Sequence, residues 1–220
     1  MPAMPAPPPP TPRTRVRRHP ERARYDLAVV NQILDQGLIC HLGFVEDGFP
    51  FVVPTMYARA GDLLYLHGSP ASRMLKRAGS GAEVCVTVTL LDGLVLARSA
   101  FNHSMNYRSV MLLGKAEPVD AVPEKMAAFQ ALVEHVVPGR WQSIRPTTPK
   151  ELKATAVLRM VIREASCKLR AGGPEDPRQD AELPVWAGVI PIQTTAGRAI
   201  PALDLAPGVG LPDHVSGYRR

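Results

Sequence analysis

Apolar and polar residues alternate in short blocks along most of this chain. The clearest block runs from Ala82 to Leu90: Val84, Val86, Val88 and Leu90 share one face, and Glu83, Cys85, Thr87 and Thr89 share the other. That period of two marks a half-buried strand. Leu38 to Val45 and Phe49 to Tyr57 flank Asp47-Gly48, a pair that tolerates the positive φ angles of a tight hairpin turn. Ala60-Gly61-Asp62 predicts a second turn, into a strand from Leu63 to His67. Asp92-Gly93 predicts a turn into Leu94 to Phe101. Asn106 to Pro118 reads as a long strand, Ala154 to Lys168 as another extended stretch, and Pro184 to Ile192 as a last short one.

Helical spacing is confined to a few segments. Leu27, Val30 and Leu34 recur at helical intervals, with Asp26 as cap and Gly37 as stop. Gly68-Ser69-Pro70 ends a strand and opens a helix to about Arg77, Ser69 capping it and Pro70 taking the first position. Pro123 opens a third, lined on one side by Met126, Phe129, Leu132, Val133 and Val136 and closed by Pro138-Gly139. Residues 146–153 form a link with room for a short helix. Six or seven strands joined by short turns, with few helices between them, predict a mainly β, antiparallel barrel and not a doubly wound sheet.

The ends differ from the middle. Residues 1–21, rich in Pro and Arg, are expected to be disordered; 22–193 form the folded domain; 194–220, rich in Ala, Pro and Gly, form a flexible tail. The net charge of +6 over 220 residues is concentrated at Arg13, Arg15, Arg17, Arg18, Arg22 and Arg24, with Arg219 and Arg220 at the other end. A basic leader can touch nucleic acid or a membrane, but a solvated leader is the preferred reading. Aromatic content of 5% argues against a base-stacking surface. Cys40, Cys85 and Cys167 are odd in number and widely spaced, which suggests neither a zinc site nor a disulfide framework and suits a reducing cytoplasm. No apolar run is long enough to cross a membrane as a helix, and none resembles a signal peptide.

Two stretches carry candidate chemistry. In Leu66 to Lys76 a strand runs into a serine-capped helix, whose first backbone N–H groups suit an anion. Ser69 and Ser72 add hydroxyl donors, and Arg73 adds a fork that matches phosphate oxygens. An ordinary capped helix is the competing reading. In Phe101 to Val110, polar and aromatic groups gather between two apolar strands; Asn106, Arg108 and Val110 fall on one face, Tyr107 and Ser109 on the other. His41, His67, His103 and His135 lack metal-ligand spacing, so no metal site is expected. His135 reads as a surface residue. His67 ends a strand beside the anion loop and is the candidate for contact with a reactant, although a structural hydrogen bond serves as well. P-loop, dinucleotide-binding and nucleophile-elbow motifs are all missing. An enzyme built this way relies on a cofactor for the hard step.

The order of motifs resembles the pyridoxamine 5′-phosphate oxidase-like superfamily over roughly residues 22–193. They are a leading helix, Gly37-x-x-x-His41-Leu42-Gly43, Asp47-Gly48-x-Pro50-x-x-x-Pro54-Thr55, Leu64-Tyr65-Leu66-His67-Gly68-Ser69, Asn106-Tyr107-Arg108-Ser109-Val110-x-x-x-Gly114-Lys115-Ala116, and Trp186-Ala187-Gly188-Val189-Ile190-Pro191. Within it the chain is most similar to the flavin-nucleotide-binding branch that includes the nitroimidazole-resistance proteins. The resemblance implies a dimeric split barrel with FMN in a cleft between subunits. Val53, Pro54, Thr55 and Met56 would lie beside the flavin ring, and His67, Ser69, Ser72 and Arg73 would hold the phosphate. Asn106, Tyr107, Arg108 and Ser109 would line the cleft, and Trp186 would pack over the flavin or brace it. The second strand, Phe51 to Tyr57, lacks the basic residue of true pyridoxamine phosphate oxidases, and no substrate Arg and His follow Trp186. The expected activity is therefore FMN-dependent reduction of a small electrophile such as a nitroaromatic or quinone. The alternatives are a non-enzymatic flavin or haem module, with His41, His67 or His103 as axial ligand, and a deazaflavin-dependent reductase.

Overall fold

The computed structural model describes residues 10–219. Its strands are β1 (Ala23–Arg24), β2 (Ile39–Glu46), β3 (Phe49–Ala60), β4 (Leu63–Gly68), β5 (Glu83–Leu96), β6 (Ser104–Pro118), β7 (Ala156–Val161), β8 (Glu164–Arg170) and β9 (Gly188–Pro191). They form one sheet in the order β1-β8-β6-β7-β4-β3-β2-β5-β9, and a further β5–β6 pairing closes β2-β3-β4-β7-β6-β5 into a ring. Every pairing is antiparallel. The split barrel is thus present, as six ring strands with β1, β8 and β9 as flanks.

Closure follows from the alternation. Cys40, Leu42, Phe44, Leu64, Leu66, Val84, Val86, Val88, Val110, Leu112, Leu158 and Met160 point inward and make one core. Helix α1 (Leu27–Gln36) adds Val30, Ile33 and Leu34, and α2 (Arg73–Ala78) adds Met74, Leu75 and Ala78. The Asp47-Gly48 turn forms as expected, with φ of 51° and 80°, the pair of positive values a two-residue hairpin needs. A second layer lies outside the ring. Helix α3 (Val122–Val136) brings Ala128 and Phe129 against Tyr65, Val119 and Val157.

Several expectations need correction. Asp92-Gly93 is not a turn but a bulge inside the continuous strand β5, where the β6 register shifts between Leu91 and Gly93. The extra residue bends the strand without ending it. Ala154 to Lys168 is not one strand. A break at Ile162-Arg163 separates β7, paired with β4 and β6, from β8, paired with β6 and β1. Helix α4 (Pro149–Ala154) fills the expected link, with Thr148 and Glu151 in a reciprocal capping box. Residues 1–9 of the leader lie outside the described residues. Residues 10–21 are not loose: Thr14 is buried, Arg13 bridges Glu83 and Glu164, and the Val16 N–H donates to the Tyr25 hydroxyl at 3.0 Å. His135 is not a bare surface residue. Its Nε2 lies 2.7 Å from the Gly37 carbonyl and its ring tilts over Tyr57. No helix among the described residues is long and apolar enough to cross a membrane.

Tyr57 ties α1 to the ring. Its fully buried hydroxyl donates to the Leu34 carbonyl at 2.6 Å and sits 3.2 Å from the Gly37 carbonyl. Removing the hydroxyl takes this donor from the buried Leu34 carbonyl, while His135 still reaches that of Gly37, so Tyr57→Phe is expected to lower stability by about 1–3 kcal/mol. Urea unfolding followed by circular dichroism checks this; an unchanged midpoint would show that the hydroxyl contributes nothing.

Candidate functional site

The two faces of β4 have different fates. Leu64 and Leu66 enter the barrel, while Leu63, Tyr65 and His67 point outward toward α3. Near Tyr65 the gap between strand and helix is filled. Toward His67 it opens into a cavity of about 380 Å³. Met56 of β3 and His67 lie on the barrel side, Phe129, Leu132 and Val133 on the helix side, and Trp141, Ile144, Arg145, Thr147 and Glu151 along the segment that follows. The spacing of the α3 residues is that of one helical face.

Chemically this cavity is apolar with a few placed polar groups. The Nδ1 atom of His67 is buried without a hydrogen-bond partner. Burial pushes the His67 pKa down, because the charged imidazolium loses its hydration. Arg145 is gripped by Glu151, with Nη1 donating to the carboxylate at 2.9 Å. That guanidinium and the Thr148 cap hold the Glu151 carboxyl down at about 2. The rim thus carries a fixed positive group beside a carboxylate, facing apolar walls.

The predicted phosphate seat is arranged differently from expectation. Ser72, not Ser69, caps α2: its Oγ accepts from the Leu75 N–H at 3.5 Å. The chain completes a turn first, with the Ser72 N–H donating to the Ser69 carbonyl at 2.9 Å, so Pro70 lies before the helix and not at its first position. The Ser69 hydroxyl accepts from the Ala71 N–H at 3.2 Å. Arg73 lies over the Phe51 ring, 4.1 Å from its centroid, with Nε 3.5 Å from Glu46, and its side chain is 60% exposed. His67 does not join this group but faces the cavity under α3.

The other predicted residues divide as well. Along β3, Val53 packs on the core while Pro54 is exposed and Met56 lines the cavity, so alternation sends neighbours to opposite sides. Thr55 lies between, its hydroxyl 3.4 Å from the Met56 carbonyl. Along β6, Asn106 is buried and accepts from Arg170 at 2.6 Å. Arg108 makes a two-pronged pair with Asp92, at 2.9 and 2.7 Å, and also reaches Gln36. The Ser109 hydroxyl donates to the Lys168 carbonyl at 3.2 Å, and Tyr107 is half-buried opposite Leu91. Trp186, 68% exposed, folds over Gly188.

Sequence reasoning missed the cavity's helix side and rim. Phe129, Leu132 and Val133 were legible as an apolar helical stripe, but nothing local says that part of a stripe faces a gap. Trp141 and Arg145 lie between helices, where no period operates. Among the described residues no group of three or more His, Cys, Asp or Glu could hold a metal ion. Cys40 and Cys167 are buried thiols that burial raises to about 12, which removes them as nucleophiles.

Comparison with known proteins agrees with this architecture. The family model described as pyridoxamine 5′-phosphate oxidase matches residues 26–169. No curated protein sequence matches the chain. The flavocytochrome Anf3 from Azotobacter vinelandii is 44% identical with a TM-score of 0.90, over 96% of this chain and 98% of that one. The FAD and haem binding protein from Mycobacterium smegmatis is 37% identical with a TM-score of 0.86, over 89% of this chain and 96% of that one. A structure described as a candidate 5-nitroimidazole antibiotic resistance protein from Bacteroides thetaiotaomicron is 25% identical with a TM-score of 0.55, over 66% and 85%. The first two likenesses extend past the barrel into the terminal segments. With its ring of antiparallel strands and its match to the family model, the chain belongs to the pyridoxamine 5′-phosphate oxidase family.

Proposed function

We propose that this protein is a homodimeric flavoprotein oxidoreductase that also holds a haem in the cavity beneath α3. The observation that carries the haem is His67: an imidazole with a buried, unpartnered ring nitrogen in an apolar cavity. A bare metal ion needs several protein donors, and no such cluster stands among the described residues. Haem iron brings its own macrocycle nitrogens and asks the protein for an axial ligand and apolar walls. His41 on β2 and His103 just before β6 are exposed and line no part of this cavity, which leaves His67. Phe129, Leu132 and Val133 would exclude water from a macrocycle, and Arg145 would exchange Glu151 for a propionate carboxylate. Two relatives that share most of this chain's length, one described as a flavocytochrome and one as binding FAD and haem, support this reading.

The flavin belongs to the outer β2–β3 face and the β4–α2 loop. Arg73 and the Ser69–Ser72 turn would take its phosphate, and Pro54 would meet its ring. FMN is the minimal ligand of that seat, and the relative described as binding FAD favours the longer nucleotide. The dimer is supported by apolar residues left exposed on this face, Ile39, Val45 and Val52. Unpaired cysteines suit a reducing compartment such as the cytoplasm. When bound, the flavin supplies hydride chemistry and the haem one-electron chemistry. The protein's own task is to hold His67 neutral, keep water from the cavity and fix the Arg145 charge. A small electrophile, quinone-like or nitroaromatic, is the proposed oxidant.

Freshly purified protein should show a flavin spectrum together with a Soret band. His67→Ala should lose the Soret band and keep the flavin. A Soret band that survives in His67→Ala, or protein that binds no added haemin, would remove the assignment. Arg73→Ala should weaken flavin affinity by about 1.5–3 kcal/mol, the scale of a charged hydrogen bond; equal affinity by fluorescence titration would dismiss the phosphate seat. A third expectation concerns acid. His67 has a lower pKa folded than unfolded, so the unfolded chain takes up protons first as pH falls. Apoprotein stability should therefore decline below the unfolded value of about 6.5. His67→Phe should flatten that part of the profile; an identical slope in both proteins would show that His67 does not titrate this way.

A further inference from the structure

After β9 the chain leaves the barrel and returns much later. Every residue from 194 to 211 is exposed. The Leu205 N–H to Ala202 and Val209 N–H to Ala206 hydrogen bonds, at 3.1 and 3.3 Å, both stay within the arm. The far end is anchored: α5 (Asp213–Ser216) sets His214 against Gly139, just past the end of α3. Between arm and anchor lies a hollow of about 510 Å³, lined in part by Val137, Ala196, Leu211, Val215 and Tyr218. The arm is therefore a hook around an open hollow whose lining also includes Arg198 and Arg219.

Its side chains do not suit water. Ile200 is 91% exposed and Leu203 fully so, with Leu205, Val209 and Leu211 exposed beside them. Single exposed apolar residues are ordinary, but a run of them in one segment marks a contact surface. Arg198 and Asp204 are the segment's charges and they cancel. Pro201 and Pro207 restrict the backbone, which reduces the entropy lost when the arm docks.

We infer that this arm clasps a second copy of the chain, laying Ile200 and Leu203 on the exposed β2–β3 face of its partner. That face offers Ile39, Val45 and Val52, the last 67% exposed, beside Pro54. A neutral arm does not suit nucleic acid or an anionic bilayer, and it lacks the basic amphipathic helix that lies on membranes. Arm and face together approach the roughly 20–30 residues a side of a standard interface. A two-fold axis buries both arm–face pairs at once. The inference rests on the dimer proposed above and names the segment that secures it.

The test is the mass of the intact protein across a dilution series, by analytical ultracentrifugation. Wild type is expected to be dimeric, and Ile200→Glu/Leu203→Glu to self-associate at least tenfold more weakly with an unchanged far-ultraviolet circular dichroism spectrum, since these side chains do not pack on their own barrel. Val52→Glu should do the same. A dimer unweakened by the arm variant overturns the inference and spares the dimer; a monomeric wild type overturns both. A Val52→Glu dimer of wild-type strength overturns the β2–β3 face as the docking site. Co-sedimentation of wild type, but not the arm variant, with phosphatidylcholine–phosphatidylserine vesicles would overturn the inference in favour of a membrane.

Discussion

Packing of α3 against the outer face of β3, β4 and β7 is the contact on which the candidate site depends. A strand in a closed ring has an inside and an outside, and the inside of β4 is spent on the core through Leu64 and Leu66. Tyr65 and Val157 remain on the outside, and each side chain of that size gains about 1.5–3 kcal/mol when buried. Ala128 meets them, fully buried and small enough for the helix to sit close. At His67 of β4 and Met56 of β3 the same helix covers a cavity instead. The site is thus the unfilled end of a well-filled joint. Its walls are set by packing elsewhere, which is how a fold holds a ligand site open without collapsing it.

Much of the barrel was legible, because each ring strand buries one face and shows it as alternation. Val84, Val86 and Val88 on β5, and the Asp47-Gly48 turn, needed no tertiary information. The misreadings share a cause. Asp92-Gly93 has the composition of a turn, yet β5 continues through it, because β6 on one side and β9 on the other hold it in the sheet. Ile162-Arg163 has the composition of a strand, yet the chain moves there from one neighbour to another. In both cases the deciding contact is distant in sequence. The candidate site was half legible for the same reason. His67 and Met56 were singled out for a flavin, but which side of a strand a residue faces decides what it can touch. The rim from Trp141 to Glu151 has no periodicity to read.

Arginine content looked like a property of the tails, but within the described residues many guanidiniums are internal fasteners. Arg59 pairs with Asp35 through two contacts at 2.7 Å, Arg98 holds Asp176, and Arg170, almost wholly buried, bonds Asn106 and the Gly173 carbonyl. Even Arg13, in the supposed leader, straps the chain to β5 and β8 through Glu83 and Glu164. Each arginine–carboxylate pair is neutral overall, so these arginines add little to the surface field. Asn106 and Arg108, polar residues clustered between apolar strands, likewise have internal partners: on the inward side of β6 a polar group must be paired or it destabilises the fold.

His67 departs from that rule, as do Nε of Arg98 and Arg170 and Nε2 of His214, and among these four groups His67 is the one that lines the cavity under α3. Asn106, Arg108 and His135 all show a partner for the polar group they bury. His67 keeps a buried nitrogen without one, at a strand end where Leu or Val would have packed better against Phe129 and Leu132. An unpaired buried acceptor or donor costs on the order of 1–3 kcal/mol, and nothing in the barrel requires it. Such a cost is characteristic of sites that complete themselves with a ligand. Burial keeps the imidazole neutral at physiological pH, which leaves a ring nitrogen's lone pair available for coordination. Phe129, Leu132 and Val133 give the same cavity an apolar wall, and the Arg145 guanidinium stands at its rim. These three features lie on separate elements, β4, α3 and the segment after it, and the joint between barrel and helix is what brings them together.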